Sequence, residues 1–301
     1  MDIWNQLIPH YFSDVSVDEV LMNGAQEIVL VRDQDFQRAS SYFQDDLSMM
    51  RALQELAFSQ GLRLDPFCPA NGGLLQIENV YVRWHALLPP ISRDGPLLSL
   101  RRQRLGSLSL DDFMDEEQKH ALILQLEQER PVFIVGPTGS GKTSLLIALL
   151  EATLQHQRVA ILEQVPEIPK LFPHWIRLAA QSEDVNGRGA FRLEQVFDEL
   201  LRLRPDSIVI GELRQAESLA LCRALLAGLG SLWCTLHTYG PQTLFARLAE
   251  LSSMSEVFWS EQCMIREALL LLMQREKPRL SEAWLCKNGG WELIFSATKG
   301  R

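Results

Sequence analysis

Pro131-Val-Phe-Ile-Val135, followed at once by Gly136-Pro137-Thr138-Gly139-Ser140-Gly141-Lys142-Thr143, is the stretch that decides how this chain folds. The eight later residues fit G-x-x-x-x-G-K-[ST]. They stand between a short apolar run, Val132 to Val135, and a helical pattern, Ser144 to Leu154. A phosphate-cradling loop requires that strand–loop–helix context. Glycines at 136, 139 and 141 let the backbone curl until successive N–H groups face one point, at the positive end of the next helix. Lys142 then reaches the β- and γ-phosphates of a nucleoside triphosphate, and the Thr143 hydroxyl binds Mg²⁺. The four fixed positions arise by chance in roughly one chain of this length in a hundred, before the flanking elements are counted. The bland alternative is a glycine-rich turn carrying a solvated lysine.

Short apolar runs recur downstream, at Arg158 to Leu162, Ser207 to Ile210 and Leu232 to Leu236. Strands buried on both faces read this way. The helical patterns between them, Leu193 to Leu203 and Ala216 to Ala227, imply an α/β fold with a parallel sheet. Two more helical segments follow, Gln242 to Leu251 and Ser260 to Gln274. Strand candidates Ala283 to Cys286 and Trp291 to Phe295 turn at Asn288-Gly289-Gly290, so the end of the chain is expected to be a small helical cap plus a hairpin. Upstream, the strand-like runs Glu27 to Val31 and Val80 to Leu88 flank a helical stretch near Asp46 to Gln60, the pattern of a smaller N-terminal α+β domain. The expected division is 1–105 for that domain and 106–301 for the phosphate-loop domain, with 106–130 as linker and first helix.

The 301 residues are 47% apolar and 22% charged, which is enough for two cores and excludes disorder, collagen and coiled coil. Twenty-nine Lys and Arg against 38 Asp and Glu leave a net charge of −9, the wrong sign for a nucleic-acid-binding surface. No nucleic-acid partner is therefore expected. Cys68, Cys222, Cys234, Cys263 and Cys286 are too scattered for a zinc site or a redox pair, so no zinc and a reduced compartment are expected. The longest apolar runs, such as Ala268 to Met273, are far short of the roughly 20 residues that span a bilayer. The opening Met1-Asp-Ile-Trp carries no basic leader, so no secretory signal is expected.

Triphosphate chemistry also needs an acid to organise the metal and the attacking water. Glu212 follows the strand Ser207 to Gly211, and Glu163 ends the strand Val159 to Leu162. In an open parallel sheet the carboxyl ends of neighbouring strands converge on the phosphate loop, which predicts Glu163, Glu212 and Lys142 in one crevice. The bland alternative for either glutamate, taken singly, is a solvated strand-end residue. His237, at the end of Leu232 to Leu236, falls on the same rim, as a γ-phosphate sensor or as a capping residue.

Four segments in this order resemble the type II/type IV secretion ATPase superfamily, the traffic ATPases of secretion systems and of type IV and tight-adherence pili. They are the loop GPTGSGKT; Ile161-Leu-Glu163-Gln-Val-Pro-Glu167-Ile, similar to the family's acidic box; Leu201-Arg-Leu-Arg-Pro-Asp206-Ser-Ile-Val-Ile-Gly211-Glu212-Leu-Arg214, similar to its atypical Walker B; and Thr235-Leu-His237-Thr, similar to its histidine box. Upstream, Arg83-Trp-His-Ala-Leu-Leu-Pro-Pro and Ser99-Leu-Arg101-Arg102 look like the family's amino-terminal domain.

The resemblance implies a RecA-like core, ATP and Mg²⁺ as ligands, and a ring-shaped homohexamer. It also implies a cytoplasmic place at the inner membrane against a platform protein of a secretion or pilus machine. Glu212, Glu163, His237 and Arg214 would carry catalysis. Arg83, Arg101, Arg102 and Arg104 would be candidate contacts to a nucleotide in the same or a neighbouring subunit, and hydrolysis would flex the linker Leu105 to Asp111. The sequence departs from the family at Gln164, at Gln215, and at Leu229, which replaces a histidine and is read as losing a polar group near the nucleotide. A nucleotide-binding regulatory or structural subunit with weak or lost turnover is the alternative. A GTPase would need an Asn-Lys-x-Asp motif, which the sequence lacks.

Overall fold

A computed structural model describes residues 2–32, 35–103, 108–163, 167–180, 189–274 and 279–297. The chain divides into two compact units, one built on Met1–Gly106, the other on Ser107–Ala180 and Arg192–Arg301, with 189–191 grouped with the first.

The first unit contains α1 (Asp2–Phe12), β1 (Glu19–Asn23), β2 (Glu27–Arg32), β3 (Asp35–Ala39), α2 (Asp46–Ser59), β4 (Ala70–Ile77), β5 (Val80–Leu87) and β6 (Leu97–Gln103). Its strands form one antiparallel sheet in the order β3-β2-β1-β6-β5-β4. Alternate residues point to one buried face, Val20 and Met22 on β1, Val82, Trp84 and Ala86 on β5, Leu98 and Leu100 on β6. They share a core with Trp4, Leu7 and Ile8 of α1 and Met49, Leu53 and Leu56 of α2. This is the period-2 signature of a sheet covered on one side. A capping box starts α2, where the Asp45 carboxylate accepts from the Ser48 N–H at 2.7 Å.

The second unit begins with a single 3₁₀ turn, Leu110–Asp112, and continues through α3 (Glu116–Leu126), β7 (Pro131–Val135), α4 (Lys142–Thr153), β8 (Val159–Glu163), β9 (Ile176–Ala179), α5 (Leu193–Arg202), β10 (Ser207–Ile210), α6 (Gln215–Leu226), β11 (Leu232–Leu236), α7 (Pro241–Ser252), α8 (Glu256–Ile265), β12 (Leu269–Gln274), β13 (Arg279–Lys287) and β14 (Gly290–Ser296). The sheet order is β14-β13-β12-β7-β11-β10-β8-β9. It is parallel from β12 through β9 and antiparallel at the β12–β13–β14 edge.

Successive residues of each central strand enter different cores. Phe133, Val135, Ile208, Ile210, Cys234 and Leu236 pack under α5 to α8. Val132, Ile134, Ile161, Val209, Trp233 and Leu271 pack under α3 and α4. A sheet covered on both faces is what makes β7, β8, β10 and β11 uninterrupted apolar runs.

One expectation fails. Ser260 to Gln274 is not a single helix: α8 stops at Ile265, Glu267 takes a positive φ of 47°, and Leu269–Gln274 continues as β12 beside β7. A short run buried on all sides has the same apolar pattern as a strand and as a buried helix, so periodicity alone does not separate them. The end of the chain is accordingly no separate cap: α7 and α8 cover one face of the sheet, and the hairpin extends it. The small α+β domain and the parallel α/β sheet are as the sequence implied. Leu271 is fully buried on β12. Replacing it by Ala is expected to destabilise the chain by about 2–5 kcal/mol in urea denaturation, the range for a buried leucine; a change below ~1 kcal/mol would contradict its place in the core.

Candidate nucleotide site

The site lies where β7, β11, β10 and β8 end, side by side on the carboxyl edge of the sheet. The loop after β7 takes positive φ at Gly136 (146°), Gly139 (77°) and Gly141 (84°), and Gly141 is the N-cap of α4. At Gly136 a Cβ would fall 2.5 Å from the Met273 carbonyl, so only glycine fits there. Ser140 is fully buried inside the loop, and its Oγ has no hydrogen-bond partner among the described residues. Thr143 is half-buried in the first turn of α4.

Lys142 is 7% exposed. Its Nζ donates to the carbonyls of Gly136 at 3.0 Å and Pro137 at 2.8 Å, and it lies 3.2 Å from Nδ1 of His237. Nδ1 also lies 3.3 Å from the Gly136 carbonyl; with the closer Lys142 ammonium, which can only donate, as its partner, Nδ1 accepts and the proton of the neutral ring is assigned to Nε2. That nitrogen is 3.1 Å from Oε1 of Glu212, whose other oxygen accepts from Arg214 at 3.0 Å. The result is one chain, Lys142–His237–Glu212–Arg214, across the ends of three strands. Burial, aided by the Lys142 charge and opposed by Glu212, holds the His237 pKa below its ordinary value. The ring is therefore neutral at pH 7.

Glu163 is held differently. Its carboxyl group, 7% exposed, accepts from the Glu167 and Ile168 N–H groups at 3.2 Å. Desolvation outweighs these bonds and pushes its pKa up to about 7. The carboxyl group also lies over Gly211, where a Cβ would come 2.6 Å from its Oε1. Gly211 occupies the usual position of a metal-binding Asp because Glu163 fills the space a side chain would need.

The structure thus joins Lys142, His237, Glu212 and Arg214 directly, and brings Glu163 alongside through Gly211 rather than into their hydrogen-bonded chain. Arg83 and Arg101 face each other in register on β5 and β6, and Arg101 lies 3.5 Å from Glu19. Arg102 is committed within its own unit. Its guanidinium donates to the carbonyls of Phe12 at 2.6 Å, Asp14 at 2.9 Å and Val17 at 3.0 Å, and lies over the Phe12 ring. That is the work of a helix-end cap on α1. Arg104 and Gln164 fall outside the described residues, as does part of the linker Leu105 to Asp111.

Leu229 is not near the site. It precedes β11 while His237 follows it, so the length of a five-residue strand, about 15 Å, separates them. Two residues escaped the sequence reading. Arg177 on β9 is the cation whose charge reaches Glu163, and it gave no signal because its short strand has no apolar run. Thr235, inside the histidine box, donates its hydroxyl to the Gly211 carbonyl at 2.6 Å; strand periodicity makes such a residue look like core.

Two measurements follow from Glu163. The folded chain keeps a proton that the unfolded chain releases near the ordinary value of 4.5, so this carboxyl's contribution to stability is complete below that pH and is lost by about pH 7. The shift corresponds to about 3 kcal/mol. Urea denaturation at pH 4.5 and 8 is expected to show wild type losing stability relative to Glu163→Gln by an amount of that order; a pH-independent difference would contradict the assignment. Gly211→Ala is expected to cost about 1–3 kcal/mol. Adding Glu163→Ala should recover part of that loss in a double-mutant cycle, whereas strict additivity would show that the two residues do not collide.

Known proteins similar to this chain identify its family. A family model described as type II/IV secretion system protein matches residues 69–293. A Mycobacterium tuberculosis (strain H37Rv) protein named for conjugal transfer is 33% identical over 245 residues, covering 78% of this chain and 69% of its own. The Legionella pneumophila ATPase DotB superposes with a TM-score of 0.64 at 18% identity, covering 94% of this chain and 80% of that one. The pilus retraction motor PilT superposes with a TM-score of 0.59 at 14% identity, covering 96% and 80%. The two solved structures share the fold, and the family match runs from the last third of the first unit through most of the second: the chain belongs to the type II/IV secretion system protein family.

Proposed function

We propose that this chain is an ATP-hydrolysing motor of a secretion or type IV-like pilus machine. One observation carries the reading: the phosphate-loop lysine, the histidine after β11 and the glutamate after β10 form one continuous hydrogen-bonded chain at the carboxyl edge of a parallel sheet. The loop suits a phosphate. It has an unpartnered buried Ser140 hydroxyl and a lysine whose present acceptors are its own loop's carbonyls, which an anionic ligand outcompetes.

In this reading the backbone N–H groups of Gly139 to Thr143 and the Lys142 ammonium bind the β- and γ-phosphates, at the positive end of α4. Thr143 would hold Mg²⁺, which would supply positive charge against the phosphates. Glu212 orients and polarises the attacking water, and neutral His237 reports phosphate occupancy by exchanging its contact with Lys142. Glu163, half protonated near pH 7, shapes the wall beside Glu212. Arg214, at the mouth of the site, supplies a guanidinium suited to phosphate oxygens. Arg83 and Arg101 face each other on adjacent strands, with Glu19 3.5 Å from Arg101. We offer them, with Arg104, as the charge brought to a nucleotide within a ring-shaped homohexamer. The ring would work at the cytoplasmic side of the inner membrane, against a platform protein of the machine. Membership of the type II/IV secretion system protein family supports a place in such a machine. Arg102, already spent on carbonyls of its own unit, is expected to serve stability.

Steady-state phosphate release by wild type, Lys142→Ala and Glu212→Gln tests the enzyme. Lys142→Ala is expected to lose nucleotide binding. Glu212→Gln should keep binding and lose turnover by roughly 10²-fold or more, the scale on which one aligned electrostatic group acts. Equal release from all three would end the reading. Light scattering with Mg²⁺ and a non-hydrolysable ATP analogue is expected to show six copies, and a strict monomer at micromolar concentration would contradict the ring. Arg102→Met is expected to lower the unfolding free energy by about 2 kcal/mol, with turnover per folded molecule unchanged; a selective loss of turnover would return Arg102 to the nucleotide.

A further inference from the structure

Glu212 stands in a turn, not in a strand, so something other than the β ladder must fix it. Regular pairing between β10 and β11 ends at Ile210 and Cys234. On its other side β11 stays in register with the phosphate-loop strand for two residues more, Thr235 with Ile134 and Leu236 with Val135. Thr235 is 2% exposed and grips the departing chain twice. Its hydroxyl donates to the Gly211 carbonyl at 2.6 Å, and its own carbonyl accepts from the Leu213 N–H at 2.8 Å. Residues 211 and 213 bracket Glu212.

The Gly211 carbonyl belongs to a buried residue and needs a donor. Valine would match the shape of threonine and fill the strand equally well, but it has no hydroxyl to donate. Behind the same glycine stands the Glu163 carboxyl group. The peptide before Glu212 is therefore confined by Glu163 and by the Thr235 hydroxyl.

We infer that Thr235 is a positioning residue for phosphate cleavage: its hydroxyl ties the Gly211–Leu213 turn to the strand next to the phosphate loop and so holds Glu212 against His237. This rests on the reading of the site as an ATPase. Deleting the hydroxyl frees one side of the turn, and a displacement of ~1 Å at a reacting group costs on the order of 10²-fold in rate.

The test compares wild type, Thr235→Val and Thr235→Ser in kcat, in KM for MgATP, and in nucleotide-free crystal structures. Thr235→Val is expected to lower kcat roughly 10- to 100-fold with KM within about twofold, because ground-state binding by the loop is untouched. Thr235→Ser should restore most of the rate. In the Thr235→Val crystals the Glu212–His237 contact, 3.1 Å here, should be broken. Wild-type kcat in Thr235→Val, a loss that serine does not rescue, or an unmoved Glu212 would overturn the inference. If wild type shows no Lys142-dependent turnover, the ATPase reading itself has failed and the Glu212 position alone decides the role of Thr235. Should Thr235→Val not purify, Thr235→Ala carries the same expectations.

Discussion

A lysine ammonium has three N–H donors and no acceptor, and removing it from water is costly unless acceptors surround it. Lys142 meets that demand at the mouth of its own loop, where the carbonyls of Gly136 and Pro137 and the imidazole of His237 each lie within hydrogen-bonding distance. The positive φ values at Gly136, Gly139 and Gly141 turn the loop back far enough to supply those acceptors. Burial, aided by the charge of this lysine, keeps the neighbouring histidine neutral, and the neutral histidine in turn links the lysine to Glu212. A triphosphate entering the loop offers Lys142 stronger acceptors than carbonyls, so binding at one strand end is felt at the next two.

Strand order explains why so few residues suffice. With β7, β11, β10 and β8 adjacent and parallel, the residues at and just past their ends form a row on the edge of a sheet whose two faces are fully packed. Such a sheet resists deformation. Its carboxyl edge can therefore hold a carboxyl group as buried as Glu163 and a neighbour stripped of its side chain at Gly211.

The phosphate loop, its flanking strand and helix, and the strand-end places of Glu163, Glu212 and His237 were legible because each is written locally, as an apolar run followed by a chemically distinctive residue. What the sequence concealed depends on contacts between distant segments. Leu269 to Met273 reads as helix until β7 is known to lie beside it. Leu229 reads as a polar group lost near the nucleotide until the length of β11 is seen to separate it from His237. Arg102, one of three neighbouring arginines, is set apart by carbonyls more than 80 residues away in sequence. Nothing near Gly211 in the sequence accounts for the glycine before Glu212; the side chain of Glu163 on the next strand leaves no room for a Cβ there.

The central claim is that Lys142 gives up its own loop's carbonyls to a triphosphate. A crystal structure with Mg²⁺ and a non-hydrolysable ATP analogue tests it most directly. The account predicts the phosphates against the backbone N–H groups of Gly139 to Thr143, with Nζ of Lys142 on the β- and γ-phosphate oxygens and no longer 3.0 Å and 2.8 Å from the Gly136 and Pro137 carbonyls. A loop that stays as it is, with the analogue bound elsewhere or not at all at millimolar concentration, would contradict it.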